Sequence, residues 1–258
     1  ILLMGLRFTF AASILIWWFP IPKRYLKKIF IASFVANTLQ YSITYTGLNY
    51  IEASSAVLLV QMEVPFGVIF AYFMLKEKPT LRALIGITIA FIGVYILTGS
   101  PNLDGKFFGI TLTILGSAIW ALGQVIVKPL SKEINPLALV AWLALFSGPI
   151  LISLSAIIDG NTINYLTKAS FDHWLIAIYI GFLMQPITYG CFYYVLKNNP
   201  LYKVLPIVTM GIPPTGLLAA IFLLGEKPTA ELFIGGAIII FGVIMIVFTK
   251  PKNEEIKK

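Results

Sequence analysis

The chain has 258 residues, of which 59% are hydrophobic and 12% charged, with a mean hydropathy of +0.90 and a formal net charge of +8. Soluble domains carry about 25% charged residues, so a soluble globular domain is excluded. The basic residues sit in short segments between apolar runs and at the tail, which argues against a nucleic-acid partner, and one cysteine (Cys191) with one histidine (His173) leaves no disulfide framework or Cys/His metal cluster.

Apolar runs of about 20 residues recur along the chain, matching a hydrocarbon core of roughly 30 Å at 1.5 Å per helical residue. Helices are the elements that satisfy their own backbone in such runs. The expected fold class is all-α, a polytopic membrane protein with nine visible spans. The first, 1–20, contains Arg7 and shows no signal-peptide n-region or cleavage site, and it reads as a trimmed N-terminus. Pro20 and Pro22 close it. The second, 27–48, carries Asn37, Gln40, Tyr41 and Tyr45, and the steps of four place Asn37, Tyr41 and Tyr45 on one face with Gln40 beside them. The third, 53–75, holds Gln61 and Glu63 just before Pro65, and the fourth is 81–99. The fifth, 106–128, holds Trp120 and Gln124 four apart and is expected to stop at Pro129; 136–158 follows. The 159–171 connection is the longest and has room for a turn of its own. The seventh span, 172–196, aligns Gln185, Tyr189 and Tyr193 on one face, and 202–224, 231–249 and a 250–258 tail complete the chain.

Lys and Arg favour the cytoplasmic side. With the first visible span running inward, fifteen basic residues fall in the inner loops and tail and three (Lys106, Lys168, Lys227) in the outer loops. The expected orientation is N-terminus outside and C-terminus cytoplasmic.

Glu-Lys-Pro-Thr occurs at 77–80 and again at 226–229. Residues 65–94 and 214–243 share fourteen of thirty positions, including Pro65/Pro214, Ala71/Ala220, Gly86/Gly235 and Gly93/Gly242. Membrane composition alone does not place a proline, glycines and a charged tetrapeptide in register, so the halves read as a duplication. Five crossings separate the copies, and an odd number inverts one against the other. Two inverted-topology repeats are therefore expected, an architecture of secondary transporters with the substrate site near the midplane. Glu77, Pro79, Glu226 and Pro228 are read as structural turns, with the prolines suited to the first turn of the next helix and the carboxylates to backbone donors.

The motifs GLRF (5–8), LKEKPT ending at Thr80, IGITIAFIGVYIL (85–97), WALGQVIVK (120–128), AWLALFSGP (141–149) and LLGEKPT with its following glycines together resemble the drug/metabolite transporter superfamily, in particular its EamA-type permeases. The resemblance covers the whole chain. It implies ten helices in two five-helix repeats, a bacterial inner (plasma) membrane location and a small organic substrate. By GLRF, VLLVQ (57–61) and LSAIIDG (154–160), the chain is most similar to exporters of the O-acetylserine/cysteine type, which implies export of amino acids or their derivatives. The repeat that the resemblance defines at 1–99 lacks its first helix, and 106–249 forms the second.

Polar groups deep in a bilayer are functional candidates by default. Asn37, Gln40, Tyr41, Tyr45, Gln61, Glu63, Trp120, Gln124, Gln185, Tyr189 and Tyr193 are the candidate substrate-binding residues, expected around one central cavity, with Glu63 the candidate for proton coupling. Rings beside amides suit a small solute with an apolar part and a polar end. The bland alternative is hydrogen bonding between helices. The partners expected are that solute and the lipid bilayer; no nucleic acid and no cofactor are called for, and a homodimer is compatible with the sequence. No nucleophile, metal set or acid/base cluster supports an enzyme. A channel, a scaffold, and a nucleotide- or cofactor-type metabolite carrier of the same superfamily are the competing readings.

Overall fold

The computed structural model describes residues 1–99, 103–158, 160–209 and 211–247, with the side chains of 206, 207 and 247 excepted. The expected 250–258 tail lies outside the described residues. Helices account for nearly all of the rest, without a strand among the described residues.

In chain order they are α1 (Leu2–Leu15), α2 (26–48), α3 (Ala53–Leu75), α4 (Leu81–Thr98), α5 (Phe107–Glu133), α6 (Pro136–Ile158), α7 (Thr162–Lys168), α8 (Phe171–Asn198), α9 (Leu201–Thr209), α10 (Ile212–Leu224) and α11 (Ala230–Val247). Five of them, α3, α4, α5, α6 and α8, are long and apolar enough to cross a membrane, and α1, α10 and most of α11 are shorter apolar helices. Large apolar side chains on the outside, such as Tyr95 (81% exposed), Leu223 (81%) and Phe222 (78%), are costly in water and at home against lipid.

Three boundaries differ from the sequence expectation. Pro129 does not end its helix; α5 runs through it to Glu133. A proline there removes the one bond to the carbonyl four residues back, and the ladder resumes beyond it, with Ile134 donating to Leu130. Lys128, one of the fifteen basic residues counted toward the inner side, is consequently buried, and its ammonium donates to the Leu196 carbonyl. The expected 202–224 span is interrupted at Gly211, a turn residue just before α10 starts at Ile212, with α9 described over Leu201–Thr209. Pro213 has no N–H for the Thr209 carbonyl, and Gln61 Nε2 donates to that oxygen instead, at 3.3 Å. Pro65 likewise has no N–H for the Gln61 carbonyl, and α3 tightens into a 3₁₀ turn at Val60–Met62. The third difference is the first span, expected over 1–20, whose helix ends at Leu15; the long connection forms the turn expected of it as α7, a seven-residue helix tied to α6 by a 2.8 Å bond between Ser155 and Thr162.

The chain packs as two compact units, one formed by 1–42 and 126–198, the other by 43–125 and 199 onward. In the first, α1 and α6 run antiparallel, since Gly5 faces Ile152 and Gly148 faces Thr9. Phe8, Ile29, Leu139 and Leu151 are wholly buried there.

In the second unit, α4 and α11 cross backbone against backbone. A Cβ at Gly86 would lie 2.5 Å from the Gly242 carbonyl oxygen, one at Gly242 2.6 Å from that of Gly86, and Gly93 and Gly235 oppose each other in the same way at 2.9 Å. Because 86 meets 242 while 93 meets 235, the two helices are antiparallel. Small residues are what permit such an approach.

The two Glu-Lys-Pro-Thr turns are the braces of this unit. Glu226 accepts from the amides of Ala53 and Ser54, one per carboxylate oxygen, both at 2.9 Å. Glu77 accepts from Leu201 and Tyr202 at 3.3 and 3.4 Å. Each carboxylate thus supplies acceptors to the bare first N–H groups of a helix in the other half of the sequence, where a negative charge also meets the positive helix end. The threonines of the turns cap the helices that follow, Thr80 accepting from Ala83 and Thr229 from Leu232, both at 3.4 Å. Pro79 and Pro228 therefore stand one position before the N-cap rather than in the first turn.

Both preceding helices close in a left-handed residue, Lys76 (φ 57°) and Gly225 (φ 69°), with Glu77 donating back to Ala71 and Glu226 to Ala220. A lysine in that conformation pays a steric cost of about 1–2 kcal/mol that glycine avoids. Burial raises the Glu226 pKa, but the hydrogen bonds from Ser54 and Ala53 and the Lys106 charge outweigh it and hold the carboxyl below its usual range.

Thermal melting in detergent micelles tests both features. Lys76→Gly should raise the unfolding temperature, by the equivalent of about 1 kcal/mol; an unchanged or lower value would show that the Lys76 side chain outweighs its backbone strain. Glu226→Gln should melt lower than wild type near neutrality. Since the folded pKa is depressed, the wild-type advantage is complete above the ordinary carboxylate range and fades as pH falls through the folded value. A difference that grows on acidification contradicts the brace.

Candidate functional site

Within the first unit, an aromatic set forms where α1, α2 and α8 meet. The hydroxyls of Tyr41 and Tyr189 lie 3.0 Å apart. Phe8 packs edge-on against Tyr41 at 5.4 Å between ring centres, and Tyr193 lies 5.9 Å from Tyr189. Tyr41 and Tyr193 are buried, and Tyr189 is half-buried. Over this group stands Arg7, its guanidinium carbon 5.7 Å from the Tyr189 ring centre and 6.0 Å from that of Phe8. A cation over aromatic faces is held electrostatically. Arg7 is absent from the residues that sequence periodicity picked out; its signals were a charge within a span and its place in the GLRF motif.

Two local distortions set the side-chain directions. The second helix contains a six-residue π-turn at Phe34–Leu39, followed at once by Gln40, and α8 contains one at Tyr179–Met184, followed by Gln185. A π-turn bonds i to i+5 and shifts the register by a residue, and such turns cluster at functional sites. Both glutamines are buried, and Gln185 Oε1 has no hydrogen-bond partner among the described residues. The register shift also explains Asn37. It does not join the tyrosines; its amide donates to Ser147 at 3.0 Å, and Ser33 bonds the same hydroxyl. Asn37 is part of the contact between α2 and α6.

The second unit holds the remaining candidates. Gln61 is buried and spans from the α3 turn to Thr209, and Glu63 is buried (7% exposed) in the turn that opens the helical segment Glu63–Leu75. On α5, Trp120 is buried, and Gln124 is 0% exposed with neither amide atom in a hydrogen bond among the described residues. Thr113 and Ser117 lie buried on the same helix, their hydroxyls spent on carbonyls of the preceding turn, Gly109 and Thr113. Tyr45 is half-buried. Among the described residues no group of His, Cys, Asp and Glu could hold a metal ion.

The profile of the EamA-like transporter family matches residues 1–99 and 107–248. The chain belongs to the EamA-like transporter family. As an EamA-type protein with several apolar helices it is an integral membrane protein, and its substrate is a small molecule. Two relatives, from Escherichia coli (strain K12) and Salmonella typhimurium (strain LT2), are each named a probable amino-acid metabolite efflux pump; both are 27% identical, the first over 100% of this chain and 88% of its own length, the second over 96% and 85%. An uncharacterized transporter of Clostridium kluyveri is 26% identical over 89% of this chain and 73% of its own. A solved crystal structure aligns with a TM-score of 0.66 and 16% identity, over 96% of this chain and 88% of that one, a likeness of fold.

Gln124 stands apart among the candidates because both of its amide atoms lack a partner among the described residues. A buried amide without partners costs stability, of order 1–3 kcal/mol, and is retained where something else uses it. Gln124→Leu should therefore melt higher than wild type in the absence of solute, by about 1–3 kcal/mol, while losing transport. A lower melting temperature would assign the amide to the fold.

Proposed function

We propose that the protein is an alternating-access exporter of small organic metabolites with amino-acid character, seated in a bacterial inner membrane. The observation that carries this is Arg7 over the ring of Tyr189, whose hydroxyl meets that of Tyr41. A fixed cation beside phenol donors suits a carboxylate, and the ring faces suit an apolar side chain. The names of the efflux-pump relatives agree with this chemistry.

The solute contacts proposed are Gln40, Tyr41, Gln185, Tyr189 and Tyr193 in the first unit, with Tyr45, Gln61, Glu63, Trp120 and Gln124 in the second. Glu63 is the proposed proton carrier, being the one carboxylate well inside a span. Inverted topology of the two halves is supported by the register of the repeat and by the antiparallel run of α4 and α11, which are equivalent in it. The basic-residue split supports Lys168 and Lys227 outside and the tail inside. Labelling of a cysteine at 227 by an impermeant reagent from the cytoplasmic side would overturn that orientation.

Counterflow of radiolabelled amino acids and their acylated derivatives in proteoliposomes tests the function. Saturable exchange is expected, distinguishing a carrier from a channel. Arg7→Gln should lower the rate for carboxylate-bearing solutes by about tenfold or more, and Tyr189→Phe less. Glu63→Gln should flatten the pH dependence of net flux. Robust exchange of a neutral solute lacking a carboxylate, undiminished by Arg7→Gln, would overturn the assignment.

A further inference from the structure

The first unit also carries a polar cleft that shares no lining residue with the Arg7, Tyr41, Tyr189 and Tyr193 set. It has a volume of about 270 Å³ and is lined by Arg24, Tyr25, Lys28 and Glu133. Arg24 is fixed in place. Its guanidinium lies 4.8 Å above the ring centre of buried Tyr25, and its Nη2 donates to the Tyr25 hydroxyl at 2.8 Å. A planar guanidinium held this way loses little entropy on taking an oxyanion. Lys28 and Glu133 are exposed and make no ion pair with each other or with Arg24 among the described residues. Two cations and one carboxylate thus share one cleft without neutralising one another.

Its setting in the chain is a membrane interface. The apolar helix α1 ends at Leu15, and Trp17 (81% exposed) and Trp18 (76%) follow at once. Exposed tryptophans at the end of an apolar helix mark the headgroup level. Trp142 Nε1 donates to the Phe19 carbonyl at 3.0 Å and pins that segment to α6. Pro20, Pro22, Lys23, Arg24, Lys27 and Lys28 come next, a basic cluster adjoining a span, as at sites that hold phospholipid headgroups.

We propose that this cleft binds the headgroup of a phospholipid bearing a primary amine, with the phosphodiester on Arg24 and Lys28 and the ammonium on Glu133. The cations account for a phosphate. Glu133 selects the rest, because a carboxylate beside the phosphate position repels a purely anionic headgroup and rewards one that brings its own N–H donors. The lipid source follows from the interfacial position; a soluble phosphoethanolamine would share the chemistry but not the anchorage.

Intact-mass measurement of the full chain exchanged into micelles tests this, with equal amounts of three phospholipids of the same acyl chains, headed by ethanolamine, trimethylated ethanolamine or glycerol. Wild type should retain the ethanolamine lipid several-fold over the other two. Glu133→Gln should keep total lipid retention and lose the preference for ethanolamine over glycerol. The Arg24→Gln/Lys28→Gln pair should lose about tenfold in retention with an unchanged circular dichroism spectrum, both positions being exposed. Equal retention of all three by wild type, a preference for the glycerol lipid, or undiminished retention by the double variant overturns the proposal. Displacement of the lipid by equimolar soluble phosphoethanolamine would identify a soluble ligand instead and overturn it as well.

Discussion

A peptide N–H or C=O inside hydrocarbon has no water to turn to, and each one left bare costs several kcal/mol. Helices meet this demand along their length and fail at their ends and at prolines. The arrangement of this chain follows the places where that failure is repaired. Glu226 and Glu77 cover the opening amides of α3 and α9. Thr80 and Thr229 cover those of α4 and α11. Gln61 covers the Thr209 carbonyl that Pro213 cannot reach. Each repair uses a side chain distant in sequence or placed at the turn itself, and so joins helices as it satisfies them.

This view separates two kinds of buried polar group. Ser33, Asn37 and Ser147 bond one another and belong to packing. Gln124 and Gln185 are as deeply buried, yet the amide of the first and the carbonyl oxygen of the second are unspent among the described residues. Position in the membrane alone does not separate these groups; their hydrogen-bond partners do. Arg7 differs again, a permanent charge settled on aromatic faces.

Much of the fold was legible because apolar runs and breakers carry strong local signals. The spans at 53–75 and 136–158, and within a residue that at 81–99, could be read directly from Pro79, Pro136 and the charged turns. The expected end at Pro129 was wrong because a proline removes one bond while neighbouring helices can hold the rest of the ladder. The interruption at Gly211 was foreshadowed by Pro213 and Pro214, but a double proline specifies weakness rather than a break. The π-turns before Gln40 and Gln185 leave no mark in composition, and without them the four-residue step from Asn37 to Tyr41 points to a shared face that the backbone does not provide. The tyrosine pair could be anticipated from spacing within each helix; its meeting with Arg7 depends on how three helices cross.

The glycine crossing of α4 and α11 has a mechanical meaning. Two helices in backbone contact at Gly86, Gly93, Gly235 and Gly242 meet there through main chain, which has no rotamers to change, and Leu97, Ile239 and Ile246 pack tightly beside those contacts. They behave as a single beam. The helical ladder of this unit is already incomplete at Val60–Met62 and at Gly211, just before Ile212, two weak points that the repeat places at equivalent positions. A stiff beam beside two matched soft points would make any rearrangement of this unit discrete, confined to those points, rather than spread along its helices.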